Sequence, residues 1–324
     1  MIQVQGLTKT YRGRAVVDGI SFEAARGEIV GFLGPNGAGK STTMRMLAGF
    51  LLPDAGTAKL AGHDVVEESL EARRCLGYMP EDVPLYPEMR VEEYLHYRAG
   101  IKGVASAVLR SRVDANMERC GVADVRRKLI GTLSKGYRQR IGLADALVHD
   151  PDILILDEPT NGLDPNQIRS VREIIRSLAG THTVLLSTHI LAEVEAVCQR
   201  VIILDEGRIK ASGEPSKLAR RLERGGRVTV ELRVPSGPGP AAAKPEGMAK
   251  ALGALPGVKR VRPEELAEGW WRFEVDLQDL GDPREEIFRL ATREQWSLRH
   301  LSLEAAKLEE IFAGLTTTPE EGWN

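Results

Sequence analysis

The sequence predicts an α/β domain with a largely parallel core sheet and a helical block beside it, followed by a small α+β domain. Three observations carry that expectation. Short apolar runs alternate with helical stretches from Met1 to about Gly213, a pattern that builds a parallel sheet covered by helices. Gly34-Pro35-Asn36-Gly37-Ala38-Gly39-Lys40-Ser41 fits the spacing G-x-x-x-x-G-K-[ST] of a phosphate-cradling loop. Beyond Pro215 the order of elements becomes β-α-β-β-α-β, that of a ferredoxin-like split βαβ domain.

Along the chain, residues 28–33 are an apolar strand leading into the glycine-rich loop, and residues 42–48 a helix leading out of it. In that setting backbone N–H groups curl around phosphates and the helix N-terminus adds partial positive charge. Lys40 would reach the β- and γ-phosphates, Ser41 would ligate Mg²⁺, and the Gly34, Pro35, Asn36, Gly37, Ala38, Gly39 and Thr42 backbone would complete the cradle. Residues 81–150 turn charged and helical without strand alternation, which predicts a helical insertion. Within it Ser134, Lys135, Gly136 and Tyr137 open a helix running to Val148, a second anion-binding helix N-terminus. Residues 152–156 form a buried strand that delivers Asp157 and Glu158 to the end of the sheet. Asp157 would hold Mg²⁺ through water, and Glu158 would orient and polarise an attacking water. Residues 183–187 are the next buried strand, and residues 201–211 a hairpin turning at Glu206-Gly207. The first domain is expected to end at 222, after a basic helical segment from Ser216.

In the second domain, over 223–316, residues 227–234, 258–261, 270–277 and 297–303 read as strands and residues 248–255 and 283–294 as helices. Residues 235–245, rich in Gly, Pro and Ala, read as a surface loop, residues 308–315 as a closing helix, and 317–324 as a polar tail. Trp270, Trp271 and Phe273 suit either base stacking or packing; packing is favoured because no basic stripe accompanies them.

A length of 324 residues suits two domains, and a formal net charge of -2 gives no bulk reason to expect nucleic acid. Cys75, Cys120 and Cys198 have no metal-ligand or redox spacing and read as buried structural thiols of a reducing compartment. His63, His96, His149, His182 and His300 form no cluster and read as surface or packing residues. The N-terminus has no secretory pattern, and no apolar run approaches the ~18 residues of a membrane span. Work at a membrane would therefore need a spanning partner.

Taken together these motifs resemble the ATP-binding subunits of ABC transporters. Residues 133–140, LSKGYRQR, are similar to that family's signature, usually LSGGQ. In family order, Tyr11 resembles the adenine-stacking aromatic, Glu81 stands in the Q-loop and would put a carboxylate near the Mg²⁺ and the transmembrane-subunit contact, Asn161-Gly162-Leu163-Asp164 resembles the D-loop, which implies a nucleotide-facing Asp164, and His189 resembles the H-loop histidine that contacts the γ-phosphate. The resemblance covers about two-thirds of the chain. Glu81 in place of Gln, and Lys135-Gly136-Tyr137 in place of Gly-Gly-Gln, resemble a subgroup of exporter ATPases associated with drug, gliding-motility and copper-related export. Residues 308–316 are similar to that subgroup's C-terminal segment.

The resemblance implies a P-loop ABC-type ATPase fold with ATP and Mg²⁺ as cofactors, and an ATP-dependent homodimer. Its two copies would face head to tail, Ser134 and Gly136 of one binding the γ-phosphate held by Lys40 of the other. It also implies a separate transmembrane permease as partner, and hence a cytoplasmic protein peripheral on the inner face of the cell membrane. The competing reading is a soluble ABC ATPase acting on ribosomes or DNA. One cassette and no heptad insertion argue against it. An importer ATPase is disfavoured by Glu81 and the non-Gln signature.

Overall fold

In the computed structural model, which describes residues 1–222, 227–233, 245–278 and 282–304, the chain opens with two antiparallel strands, β1 (Ile2–Tyr11) and β2 (Arg14–Ala24). Burial alternates along both, with Ile2, Val4, Leu7, Val17, Ile20 and Phe22 turned inward. There follow β3 (Ile29–Leu33), buried at every residue, and α1 (Lys40–Leu47). Next come β4 (Ala55–Leu60) and the short β5 (His63–Asp64), which complete a four-stranded sheet in the order β2-β1-β4-β5. This corrects the expectation of one strand–helix alternation starting at Met1. Strands with one buried and one wet face pair antiparallel as a separate sheet, whereas the all-apolar β3 needs cover on both faces.

The chain continues through α2 (Ser69–Arg74), β6 (Leu76–Met79), α3 (Val91–Ile101), α4 (Ser106–Arg119) and α5 (Lys135–Leu147). After these come β7 (Ile153–Asp157), α6 (Pro165–Ser177), β8 (Thr183–Thr188), α7 (Leu191–Val197), β9 (Arg200–Asp205) and β10 (Arg208–Gly213). The second sheet has the order β10-β9-β3-β8-β7-β6, parallel throughout except for β10. The β9–β10 turn places Glu206 at φ 49° and Gly207 at φ 75°, the left-handed pair of a two-residue hairpin. Helix α1 touches β2 and β4 of the first sheet and β7 of the second. Its Met44 and Leu47 join Phe22 and Phe32, whose ring centroids are 5.0 Å apart, in one core. The helical block consists of α3, α4 and α5, with irregular chain from Pro80 to Arg90 before it. Cys120 and Cys198 are buried, and burial pushes each thiol up to about 12. Cys75 is only half-buried.

The chain divides into two compact units after Pro215. The second begins with helix α8 (Pro215–Leu222). It continues through β11 (Arg227–Arg233), α9 (Pro245–Gly253), β12 (Val258–Glu265), β13 (Trp270–Leu277), α10 (Arg284–Arg293) and β14 (Ser297–Glu304). The strand order β12-β13-β11-β14, antiparallel throughout, is the split βαβ arrangement of a ferredoxin-like sheet. Val228, Val230, Leu232, Phe273 and Val275 meet Met248, Leu252, Ile287 and Leu290 of the two helices in a core of their own. Phe273 is fully buried, and Trp271 packs against that core. Trp270 differs from its neighbours in the aromatic run: its ring faces the guanidinium groups of Arg233 at 4.7 Å and Arg299 at 4.4 Å. The surface loop expected over 235–245 lies, apart from Pro245, outside the described residues, as do the closing helix of 308–315 and the polar tail.

Candidate nucleotide-hydrolysis site

Three neighbouring parallel strands end side by side. Leu33 of β3 pairs with Thr188 of β8, and Asp157 of β7 pairs with Ser187. Their C-terminal ends therefore bring the glycine-rich loop, the two carboxylates and His189 to one edge, where open α/β sheets bind ligands.

Within the loop, Lys40 Nζ donates to the Gly34 carbonyl at 2.7 Å and the Pro35 carbonyl at 3.2 Å, and lies 3.5 Å from Glu158 Oε1. The ammonium is thus surrounded by oxygen atoms, the environment a phosphate would also supply. Ala38 closes the curl by donating to the Pro35 carbonyl at 3.2 Å. Gly39 has φ 101°, and a Cβ on it would stand 2.6 Å from the Val16 carbonyl oxygen. Only glycine satisfies both constraints.

Ser41 Oγ donates to Asp157 Oδ1 at 3.1 Å, and the buried Ser187 hydroxyl bonds the same oxygen. Glu158 is buried and stands in the left-handed region at φ 49°, a conformation that costs energy in a non-glycine residue and concentrates at functional sites. Its N–H donates to the Ser187 carbonyl at 3.1 Å and to Ser187 Oγ at 3.2 Å, which holds the turn. Its Oε2 lies 2.8 Å from His189 Nδ1. Glu81 Oε1 accepts from Asn161 Nδ2 at 2.8 Å.

These groups surround a cleft of about 420 Å³ lined by Asn36, Gly37, Gly39, Lys40, Ser41, Thr42, Glu81, Glu158 and His189, together with Val16 and Asn161. Asp157 lies beneath Ser41. Val16 has no motif to announce it; it reaches the cleft because β2 passes over the loop. Two hard oxygen donors, Ser41 Oγ and Asp157, suit Mg²⁺, which takes few protein ligands and fills its shell with phosphate and water. Among the described residues no group of three His, Cys, Asp or Glu could hold a metal by itself, so a metal here would depend on the nucleotide.

The remaining predicted residues stand apart from this cleft. Ser134 caps α5, its Oγ accepting from the Tyr137 N–H at 3.4 Å. The Tyr137 hydroxyl donates to Asp124 at 2.6 Å, a bond that holds the phenol above its ordinary pKa, and the Arg140 guanidinium lies 4.4 Å from its ring. The Lys135 ammonium rests over Gly162, where a Cβ would come within 2.4 Å of Nζ. Gly136 packs against the Gln167 side chain of α6. Asp164, expected to face nucleotide, caps α6 by accepting from Asn166 and Gln167 N–H, each at 3.0 Å. Tyr11 ends β1 about half exposed, with Lys9 Nζ 5.9 Å from its ring centroid.

A family model described as "ABC transporter" matches residues 17–161, and one described as "AAA domain, putative AbiEii toxin, Type IV TA system" matches 129–195. The daunorubicin/doxorubicin resistance ATP-binding protein DrrA of Streptomyces peucetius is 36% identical, over 99% of this chain and 93% of that protein. The chain belongs to the ABC transporter ATP-binding family. The Nod factor export ATP-binding protein I of Paraburkholderia xenovorans (strain LB400) is likewise 36% identical to this ABC ATPase, over 97% of it and 96% of that protein. A solved structure described as the ATP-binding subunit of an ABC transporter superposes with a TM-score of 0.63 at 32% identity, covering 68% of this chain and 92% of that one. The chain is accordingly an ATP-hydrolysing enzyme. Among the described residues no helix of this ABC ATPase is long and apolar enough to cross a membrane.

Proposed function

We propose that this ABC ATPase powers export through a separate membrane-spanning permease, and that two copies work head to tail with ATP between them. One observation carries the dimer: the cleft gathers Lys40, Ser41 and the Glu158–His189 pair, yet no residue of 134–137 lines it. A second copy turned head to tail would present the helix N-terminus at Ser134 and Gly136 to the γ-phosphate. Lys40 would exchange its Gly34 and Pro35 carbonyl contacts for phosphate oxygens. Ser41 and Asp157 would hold Mg²⁺, with Glu81 beside it; when bound, the ion neutralises charge on the phosphate oxygens. Glu158 would accept the proton of the attacking water, and His189, 2.8 Å away, would hold that carboxylate while reaching the γ-phosphate. Tyr11 would stack on adenine. Lys135, Tyr137 and Asp164 would border the shared nucleotide from the partner's side. Loss of the γ-phosphate would remove the charge that joins the two copies.

Export is supported by what the relatives are named for, drug resistance and Nod factor export. It is also supported by a second groove of about 370 Å³ in which Phe50, Tyr78, Met79 and Val83 form apolar walls and Arg45, Arg73, Arg98 and Lys102 outnumber Asp145. Met79 and Pro80 line it directly before Glu81 of the ATP cleft. A short apolar, acidic segment of a permease would fit there and would place the protein on the inner face of the membrane.

The test is Glu158→Gln. With ATP and Mg²⁺ it should run as a dimer by light scattering, without ATP as a monomer, and its turnover should fall by about 100-fold or more, the weight of a general base. A variant that stays monomeric in ATP overturns the shared-site reading, and undiminished turnover removes Glu158 from its role.

A further inference from the structure

The loops that carry Glu158 and His189 are both tied to a carboxylate that belongs to neither. Glu193, on α7, is 1% exposed. Its Oε1 accepts from the Thr160 hydroxyl, and its Oε2 accepts from the Thr188 hydroxyl at 2.7 Å. Thr160 stands two residues after Glu158, and Thr188 immediately before His189. Thr188 Oγ1 also accepts from the Ile190 N–H at 3.0 Å, so the His189 backbone is bracketed on both sides. The Arg172 guanidinium of α6 lies 3.9 Å from Glu193 Oε1, and its buried Nε has no hydrogen-bond partner. At that distance it acts by charge, which a buried carboxylate needs.

A solvated glutamate would serve a helix surface as well; burying one with its guanidinium as far off as 3.9 Å is costly. What Glu193 does with its two oxygens is join two loops at a single point. The Glu158 turn is held before the residue by Ser187 and after it by the Thr160–Glu193 bond. His189 is 42% exposed and relies on its loop for orientation.

We propose that Glu193 is a positioning residue for ATP hydrolysis, holding Glu158 and His189 in register through Thr160 and Thr188. It touches neither of them and is not itself catalytic. The inference rests on the reading of Glu158 and His189 as the hydrolytic pair.

The experiment is a double-mutant cycle in the full chain, measuring kcat for ATP hydrolysis and the Kd of a fluorescent ATP analogue. Glu193→Ala should lower kcat by roughly 10- to 100-fold, the cost of misplacing a catalytic group, with Kd changed less than about threefold. In a background that lacks both side chains, Glu158→Ala with His189→Ala, the same change should cost little more, because both groups it positions are gone. Thr188→Val should repeat the loss and Thr188→Ser should restore kcat, which keeps the test open if Glu193→Ala does not fold. Losses that multiply across the cycle, or wild-type kcat in Thr188→Val, overturn the positioning role while the hydrolytic pair stands. Wild-type kcat in His189→Ala overturns the reading of the pair, and this inference with it.

Discussion

Gly39 and His149 show how far single side chains are constrained by their surroundings. At Gly39 a methyl group meets both a left-handed backbone and the Val16 carbonyl. Gly39→Ala should therefore cost more than ~1 kcal/mol and abolish ATP binding, measurable by denaturant unfolding and nucleotide titration. His149 Nε2 lies 3.0 Å from the Leu76 carbonyl, and burial, reinforced by the nearby Lys102 charge, pushes the imidazole down from 6.5 to about 4. The unfolded chain takes up this proton below about pH 6.5, the folded chain only below about 4. Stability contributed by neutral His149 is thus fully present above the first value and is lost as pH falls toward the second. Urea midpoints at pH 7.5 and 5 should show a smaller drop for His149→Gln than for wild type; equal drops would exclude the effect. At this scale Lys40, Glu158 and His189 were legible because motif spacing assigns their chemistry. Glu193 was not: four residues after His189 on an amphipathic helix, a glutamate reads as a surface charge, and only three-dimensional proximity makes it the partner of Thr160 and Thr188.

Among the elements, α5 and α6 carry the predicted residues that lie outside the cleft of their own chain. Both begin with a side-chain cap, Ser134 on α5 and Asp164 on α6. Pro165 at the first position of α6 strengthens the same start. Asp164→Ala removes the side-chain acceptor of two backbone N–H groups and should lower stability by about 1 kcal/mol. Equilibrium unfolding checks that figure, and an unchanged midpoint would show that the cap contributes nothing. The cap at Asp164 is a local contact of the folded helix start, whereas the D-loop resemblance concerns the nucleotide. The β9–β10 hairpin was legible because Glu206-Gly207 between two β-prone runs has few other solutions. The antiparallel sheet of β1, β2, β4 and β5 was not, since its strands are interleaved in sequence with β3 and α1 of the other sheet.

On the scale of the molecule, the two units have separate cores, one around Phe22, Phe32 and Met44 and the other around Phe273. All four tryptophans follow residue 216, so intrinsic fluorescence reports on the second unit. Phe273→Ala should weaken that unit by ~3–5 kcal/mol, the usual cost of an aromatic deletion from a packed core. The fluorescence transition should move to lower denaturant while the ATP Kd holds. Loss of nucleotide binding together with the fluorescence change would show instead that the cores are interdependent. The outer face of this unit's sheet pairs Arg272 with Glu231 and Glu264, and Arg227 and Arg262 with Asp276. Glu231 is the buried member of this network, and the pair of Arg272 with the exposed Glu264 contributes little by itself.

By itself the sequence determined the chemistry and the class: a phosphate loop, a strand-end carboxylate pair and a helix-capping signature have spacings that local backbone geometry requires, and those spacings survive in one dimension. The βαββαβ order of the second unit was equally legible, because strand and helix periods are local properties. Only the tertiary structure decided which residues meet. It brought Val16 and Asn161 to the cleft, left residues 134–137 and Asp164 outside it, and joined the Glu158 and His189 loops on Glu193. Those contacts depend on how β2 crosses the loop and how α6 and α7 pack behind the sheet, and packing is set by long-range burial that no local spacing encodes.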